Sequence, residues 1–250
     1  MEELDLFECT FSESEVKRFL GALKFLYRIS STLLLEAFPE KLVLRSINQN
    51  QSAYTRVEFG RDFFESYFTR ETTLPSIQCG GLLKSCLAAF RTAHAVQSVS
   101  RAIDSSVSVL RFQLSCAQGV NKTYAISCMQ DVEILSADFE VVDMPCQLLV
   151  DSRAFQGLLS SFHPSTSEIV MVATPGGRQG RMGQPRLQLQ SYTEGLSAGA
   201  VKKAEMQTEI TVPDDDTIRK FVLNTSEAID VTFALKELKA ALSYSEGLQM

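Results

Sequence analysis

The sequence predicts an α+β fold of two tandem, similar domains, with helices on one face of antiparallel sheets and the second domain incomplete. Two helical signatures occur twice. Phe19-Leu20-Gly21-Ala22-Leu23 returns as Phe155-Gln156-Gly157-Leu158-Leu159, and Leu83-Lys84-Ser85-Cys86-Leu87-Ala88-Ala89-Phe90 returns as Leu235-Lys236-Glu237-Leu238-Lys239-Ala240-Ala241-Leu242. Repetition of whole elements is the mark of an internal duplication. Strand-like alternation surrounds both copies. Three such segments follow the second helix of the first copy and none follows its counterpart. The expected bounds are 1–128 for the first domain, 129–145 for a connector and 146–250 for the second domain, which lacks its last strands.

The first copy opens with a short strand over 5–11. Ser12-x-x-Glu15 then reads as a capping box, in which Ser and Glu side chains satisfy the first free amides of a helix. Over 13–28 the apolar positions Val16, Phe19, Leu20, Leu23, Leu26 and Tyr27 recur at helical spacing and predict one buried face. Strands are expected at 32–38, 42–48 and 52–59, the last with Ala53, Thr55, Val57 and Phe59 on one side and Tyr54, Arg56 and Glu58 on the other. A strand at 77–83 leads into a short helix at 84–92. Extended segments follow at 96–103, 107–116 and 120–128. In the middle one Leu110, Phe112, Leu114 and Cys116 point inward, and Ala117-Gln118-Gly119 supplies the turn that follows.

Residues 129–145 break the pattern. Five acids are scattered among Val132, Ile134, Leu135, Phe139 and Met144, and Pro145 closes the stretch. The second copy then reads as strand 147–150, helix 152–162, strands 168–174 and 186–192, strands near 206–212 and 228–235, and a helix from Lys236. If strands normally cover the sheet beside 228–235, Val231, Phe233 or the Leu238 and Leu242 helix face is left partly bare.

Composition narrows the function. The chain has 250 residues, 45% of them hydrophobic, enough for one large core or two smaller ones. Its longest apolar runs fall far below the ~18 residues of a membrane span, so no membrane association is expected. Met1-Glu2-Glu3 is acidic where a secretory signal would be basic. The six cysteines, Cys9, Cys79, Cys86, Cys116, Cys128 and Cys146, form no C-x-x-C pair, and the two histidines, His94 and His163, lie far apart. That spacing does not build a zinc site, and the cysteines are expected to be reduced, small core residues. No metal or cofactor is expected.

Motifs of enzymes are weak here. Gly177-x-x-Gly180-x-x-Gly183 lacks the lysine and the following helix that a phosphate cradle requires, and reads as a hairpin loop. Asp214-Asp215-Asp216 reads as a solvated turn, because three adjacent acids cannot all face one cation. No nucleophile and base pair stands out.

Basic helix faces are the stronger signal. Lys17, Lys24 and Arg28 share one face of the first helix. Lys84 and Arg91 are seven apart on the second, Arg153 leads the polar face of the third, and Lys236 and Lys239 are three apart on the fourth. One such stripe is ordinarily a solvated side. Four of them in a chain of net charge −6 point to an inner surface that meets phosphate. A second expectation concerns 121–128, an edge strand whose apolar side, Tyr124, Ile126 and Cys128, would pair with a neighbouring subunit, with 206–212 as the matching edge.

The layout of strand, helix, strand series, short helix and further strands, twice over, resembles the sliding-clamp fold of proliferating cell nuclear antigen. The stretch Leu44-Arg45-Ser46-Ile47-Asn48, Ser52-Ala53-Tyr54, Phe59 and Phe63-Phe64-x-x-Tyr67 is similar to the Rad-nine subunit of the nine-one-one checkpoint clamp. So are Leu83-Lys84-x-x-Leu87-x-x-Phe90-Arg91, Lys122-Thr123-Tyr124 and Phe233-x-Leu235-Lys236-Glu237. The resemblance is strong over 42–126 and weaker in the second half. It implies a non-enzymatic subunit of a heterotrimeric ring with Rad-one and Hus-one type subunits. Such a ring is placed around double-stranded DNA by a clamp loader, without sequence preference, in the nucleus. It also implies Ile134 and Leu135 of the connector as a docking point for clients, and a Ser/Thr-rich signalling tail that this sequence does not contain. The alternatives are a 3'-5' exonuclease, an activity attributed to some family members, and a replicative clamp subunit.

Overall fold

Strand β1 (Asp5–Phe11) runs into helix α1 (Glu13–Ile29) within two residues, and that short link packs the helix back over the strand. The computed structural model describes residues 5–71, 73–90, 96–104, 109–116, 119–129, 132, 144–176, 185–191, 209–212 and 217–248, with backbone alone for Asp5, 96–104 and 115–116. The chain divides into two units, Met1–Ala137 and Asp138–Met250.

In the first unit the order continues with β2 (Thr32–Phe38), β3 (Lys41–Ile47), β4 (Tyr54–Gly60), a 3-10 turn (Arg61–Phe63), β5 (Ser66–Thr69) and β6 (Ile77–Leu82). Helix α2 (Leu83–Ala89) and strands β7 (Val96–Asp104), β8 (Val109–Cys116) and β9 (Asn121–Ser127) complete it. These strands form two antiparallel sheets, β5-β1-β7-β8-β9 and β4-β3-β2-β6. Two strands were not expected from the sequence: β5, whose four residues are too few for a pattern of period two to register, and the one over Ile218–Leu223 of the second unit.

Helix α1 buries Val16, Phe19, Ala22, Leu23 and Leu26. Each residue turns a helix by about 100°, which centres these five on one side and puts Leu20 and Tyr27 on its flank. Tyr27 is therefore 45% exposed, against the sequence expectation that it joins the buried face. Phe19 meets Phe11, Phe59 and Phe90, and Phe90 meets Phe112. This chain of rings links α1, α2 and both sheets, and offset or edge-on ring pairs add to the hydrophobic gain. The Tyr67 hydroxyl lies 2.7 Å from both the Phe38 and Lys41 carbonyls and donates its one proton to either, anchoring β5 to the β2–β3 turn.

Two further expectations are corrected. Ser12 is the cap residue of α1, but its side chain makes no capping bond. It lies 3.0 Å from the Ser14 hydroxyl, and Ser14 in turn donates to Glu15, so the capping box does not form. The cysteines are not all thiols: Cys79 on β6 and Cys128 after β9 form a disulfide with Cα atoms 5.7 Å apart. The two strands belong to different sheets, so nothing in the local sequence announces their approach. Cys9, Cys86 and Cys146 remain thiols, and Cys116 has no described side chain.

The second unit comprises β10 (Cys146–Val150), α3 (Ser152–Leu159), β11 (Glu168–Thr174), β12 (Arg186–Ser191), β13 (Glu209–Thr211), β14 (Ile218–Leu223), β15 (Ile229–Ala234) and α4 (Leu235–Leu248). Its pairing repeats the first unit: β10 pairs with β14 as β1 does with β5, and β13-β12-β11-β15 reproduces β4-β3-β2-β6. Helices α3 and α4 pack together as α1 and α2 do. The core is Phe155, Leu159, Phe162, Ile169, Leu187, Leu189, Leu235 and Leu242.

Strands after α2 join β1, not β6. In the second unit β10, the counterpart of β1, bonds among the described residues only to β14. Leu149 of β10 is accordingly 55% exposed, while Leu242 of α4 is buried rather than bare. Val231 of β15 is 45% exposed. The glycine-rich loop at 177–184 and Asp214, Asp215 and Asp216 lie outside the described residues.

Candidate nucleic-acid interface

Opposite the buried side of α1 stand Lys17, Lys24 and Arg28, all exposed, with Arg18 on the flank as a further exposed cation that the sequence reading passed over. Lys17 donates to Glu13 at 3.2 Å one turn earlier, with both side chains largely in solvent. Such a pair is worth ~0.2 to 0.5 kcal/mol, little enough for a phosphate to displace. Lys24, Arg28 and Lys84 of α2 make no ion pair among the described residues, and Lys84 is exposed. Helix α2 ends at Ala89, and Arg91 lies outside the described residues.

In the second unit Asp151 caps α3. Its Oδ1 accepts from the Arg153 and Ala154 amides at 3.1 and 3.0 Å, and its Oδ2 accepts from Arg219 of β14 at 2.7 Å. The Ala154 amide first, and then the Arg219 side chain, hold its carboxyl below the ordinary value of 3.8. An aspartate directly before the first helical residue is a legible cap signal, and the sequence reading did not use it. Polar bonds join α3 to α4 beside the shared apolar core. Gln156 donates to Ser243 at 2.8 Å, Ser152 and Ser245 share a bond of 2.9 Å, and Arg153 reaches Glu246. Arg153 is thus a paired cation, and no short-range signal marks a partner 93 positions away. Lys236 is exposed and Lys239 half-buried.

Strand β9 is the outer strand of its sheet and β13 the outer strand of its own. Tyr124 and Ile126 are half-buried, and their register partners are Phe112 and Leu110. They therefore line the core side of β9, and among the described residues no strand pairs with its outer edge. Cys128 is half-buried and its sulfur is joined to Cys79. Ile134 and Leu135 lie outside the described residues. Among the described residues no three His, Cys, Asp or Glu side chains group as metal ligands, and no helix is long and apolar enough to cross a membrane.

Comparison with known proteins places this arrangement. A checkpoint control protein Rad9 of Drosophila melanogaster is 24% identical over 239 residues, covering 96% of this chain and 48% of that protein. The DNA repair protein rad9 of Schizosaccharomyces pombe is 24% identical, covering 96% of this chain and 62% of its own length. The chain thus spans about half to three fifths of these relatives. In fold it is similar to the crystal structure of PCNA from Thermococcus kodakaraensis, with a TM-score of 0.67 at 14% identity, over 95% of this chain and 85% of that one. The family model for Rad9 matches residues 19–250. With the clamp fold carried by the topology and the family match running through both units, the chain belongs to the Rad9 family.

Proposed function

We propose that the chain is a subunit of a checkpoint clamp, a heterotrimeric ring with Rad-one and Hus-one type subunits that a clamp loader closes around double-stranded DNA in the nucleus. Its role is to mark damage and hold checkpoint and repair factors, with no chemistry of its own. The observation that carries this reading is the row of Lys17, Lys24 and Arg28 on the solvent side of α1, with Lys84 on α2, in a chain of net charge −6. Diffuse cations on a rigid helix bind the phosphate backbone without reading bases. Arg153, Lys236 and Lys239 would contribute the same in the second unit, Arg153 only after leaving Glu246. The open edges of β9 and β13 support subunit contacts by strand pairing. Ile134 and Leu135 are proposed as a client docking point on sequence grounds alone.

The test is DNA retention by the ring assembled with its partner subunits. Lys17→Glu with Lys24→Glu should weaken retention for every sequence and most at low salt. Unchanged retention would reject the reading. Metal-dependent release of nucleotides by the purified chain would favour the exonuclease alternative instead, since that reaction needs converging carboxylates.

A further inference from the structure

The Cys79–Cys128 bond sits at a junction. Strand β6 is the outer strand of its sheet, and beyond β9 the chain crosses to that free edge: the Met129 amide donates to the Gly80 carbonyl at 2.8 Å. Gly80 and Met129 form an isolated antiparallel bridge, and Val132 packs over Gly80 so closely that a Cβ there would lie 2.8 Å from the Val132 Cβ. The disulfide thus fastens the first residue after β9 to the strand on which Met129 and Val132 lie. Its two sulfurs differ in access, because Cys79 is 4% exposed while Cys128 is half-buried.

We propose that this pair is a reversible redox site that controls whether Met129 and Val132 stay seated on β6. Access fixes the direction of attack. A thiolate of a small dithiol reductant attacks the Cys128 sulfur, the S–S bond breaks, and Cys79 leaves with the electron pair and takes a proton in its buried site. The second thiol of the reductant then attacks the mixed disulfide at Cys128, which leaves as a thiol. Two electrons and two protons pass to the protein pair, and the dithiol departs as a cyclic disulfide. Oxidation is the same exchange run backwards against a small-molecule disulfide. A partly accessible protein disulfide is the labile kind in a reducing compartment, unlike the sheltered bonds of secreted proteins. Once the bond opens, the contacts left to Met129 and Val132 among the described residues are one backbone hydrogen bond and the packing of Val132 over Gly80, so they join the weakly protected parts of the fold.

The experiment uses the full chain. Protein equilibrated with oxidised glutathione, unfolded and alkylated without reductant, should label four of its six cysteines, sparing Cys79 and Cys128. After dithiothreitol treatment of the folded protein all six should label. Under native conditions the Met129 amide should exchange at least about tenfold faster in the reduced state, with β3 unchanged. Cys128→Ser should show the fast rate whatever the redox condition. Labelling of Cys79 and Cys128 in the oxidised sample would overturn the proposal. So would equal Met129 exchange in both states, or a Cys128→Ser rate that still responds to dithiothreitol.

Discussion

Arg153 at the start of α3 holds Glu246 near the end of α4 through two nitrogens, Nε at 2.8 Å and Nη2 at 2.7 Å from the same carboxylate oxygen. The guanidinium side is 82% exposed, so solvent screens the pair and its worth is ~0 to 1 kcal/mol. Its consequence lies in charge: the carboxylate neutralises a cation that the clamp reading assigns to phosphate.

Glu246→Ala should therefore leave unfolding almost unchanged while freeing one more cation for DNA. In the assembled ring, the slope of log retention against log salt should steepen by at most ~0.9, the effect of one added phosphate contact. A slope identical to that of the unaltered ring would show that Arg153 does not face DNA.

Asp151→Asn should lower the melting temperature of the second unit at neutral pH. The folded-state pKa of Asp151 is depressed, so its contribution is fully present above the unfolded value and is lost as pH falls through the folded one. The gap between variant and unaltered chain should thus narrow as pH drops below about 4. A gap that stays constant into acid would mean that the carboxylate charge does not act through the helix cap and Arg219.

Gly80→Ala tests the seat of Met129 and Val132 without touching either cysteine. The added Cβ would meet the Val132 Cβ at 2.8 Å and the Met129 carbonyl oxygen at 3.1 Å, and crowding of this order costs ~1 to 3 kcal/mol. Faster exchange at Met129 is expected even in the oxidised protein. Gly81→Ala, where nothing lies within 4 Å, is the matched control.

Reduction should also lower the stability of the first unit. The disulfide closes a loop across 49 positions, for which the chain-entropy account gives about 4 kcal/mol. Urea unfolding followed by ring fluorescence, with and without dithiothreitol, reads the difference. Equal midpoints would contradict it.

The duplicated architecture was legible because its signals are local. Helical spacing in Val16, Phe19, Leu23 and Leu26 and alternation in Leu110, Phe112 and Leu114 each reflect burial of one face, and all seven are buried. Ser12 and Glu15 matched a capping box in letters, but the Ser12 and Ser14 hydroxyls bond each other instead. Tyr27 was misplaced because a residue on the flank of the apolar arc has the right spacing but little covering it. Cys79 with Cys128 and Arg153 with Glu246 could not be read, since each pair is joined only by the tertiary fold. The cations of α1 were legible as a stripe, whereas the pairing of Lys17 with Glu13, and the absence among the described residues of an ion pair at Lys24 or Arg28, were not.

The central claim is that the basic helix faces line a ring closed around DNA. The most direct measurement loads the assembled ring onto circular DNA, then compares retention before and after a single double-strand cut, for the unaltered chain and for Lys24→Glu with Arg28→Glu. The account predicts that the unaltered ring stays on the circle, leaves after cutting, and shows weaker retention on the circle at low salt when the two charges are reversed. Retention that ignores both the cut and the charge reversal would contradict it.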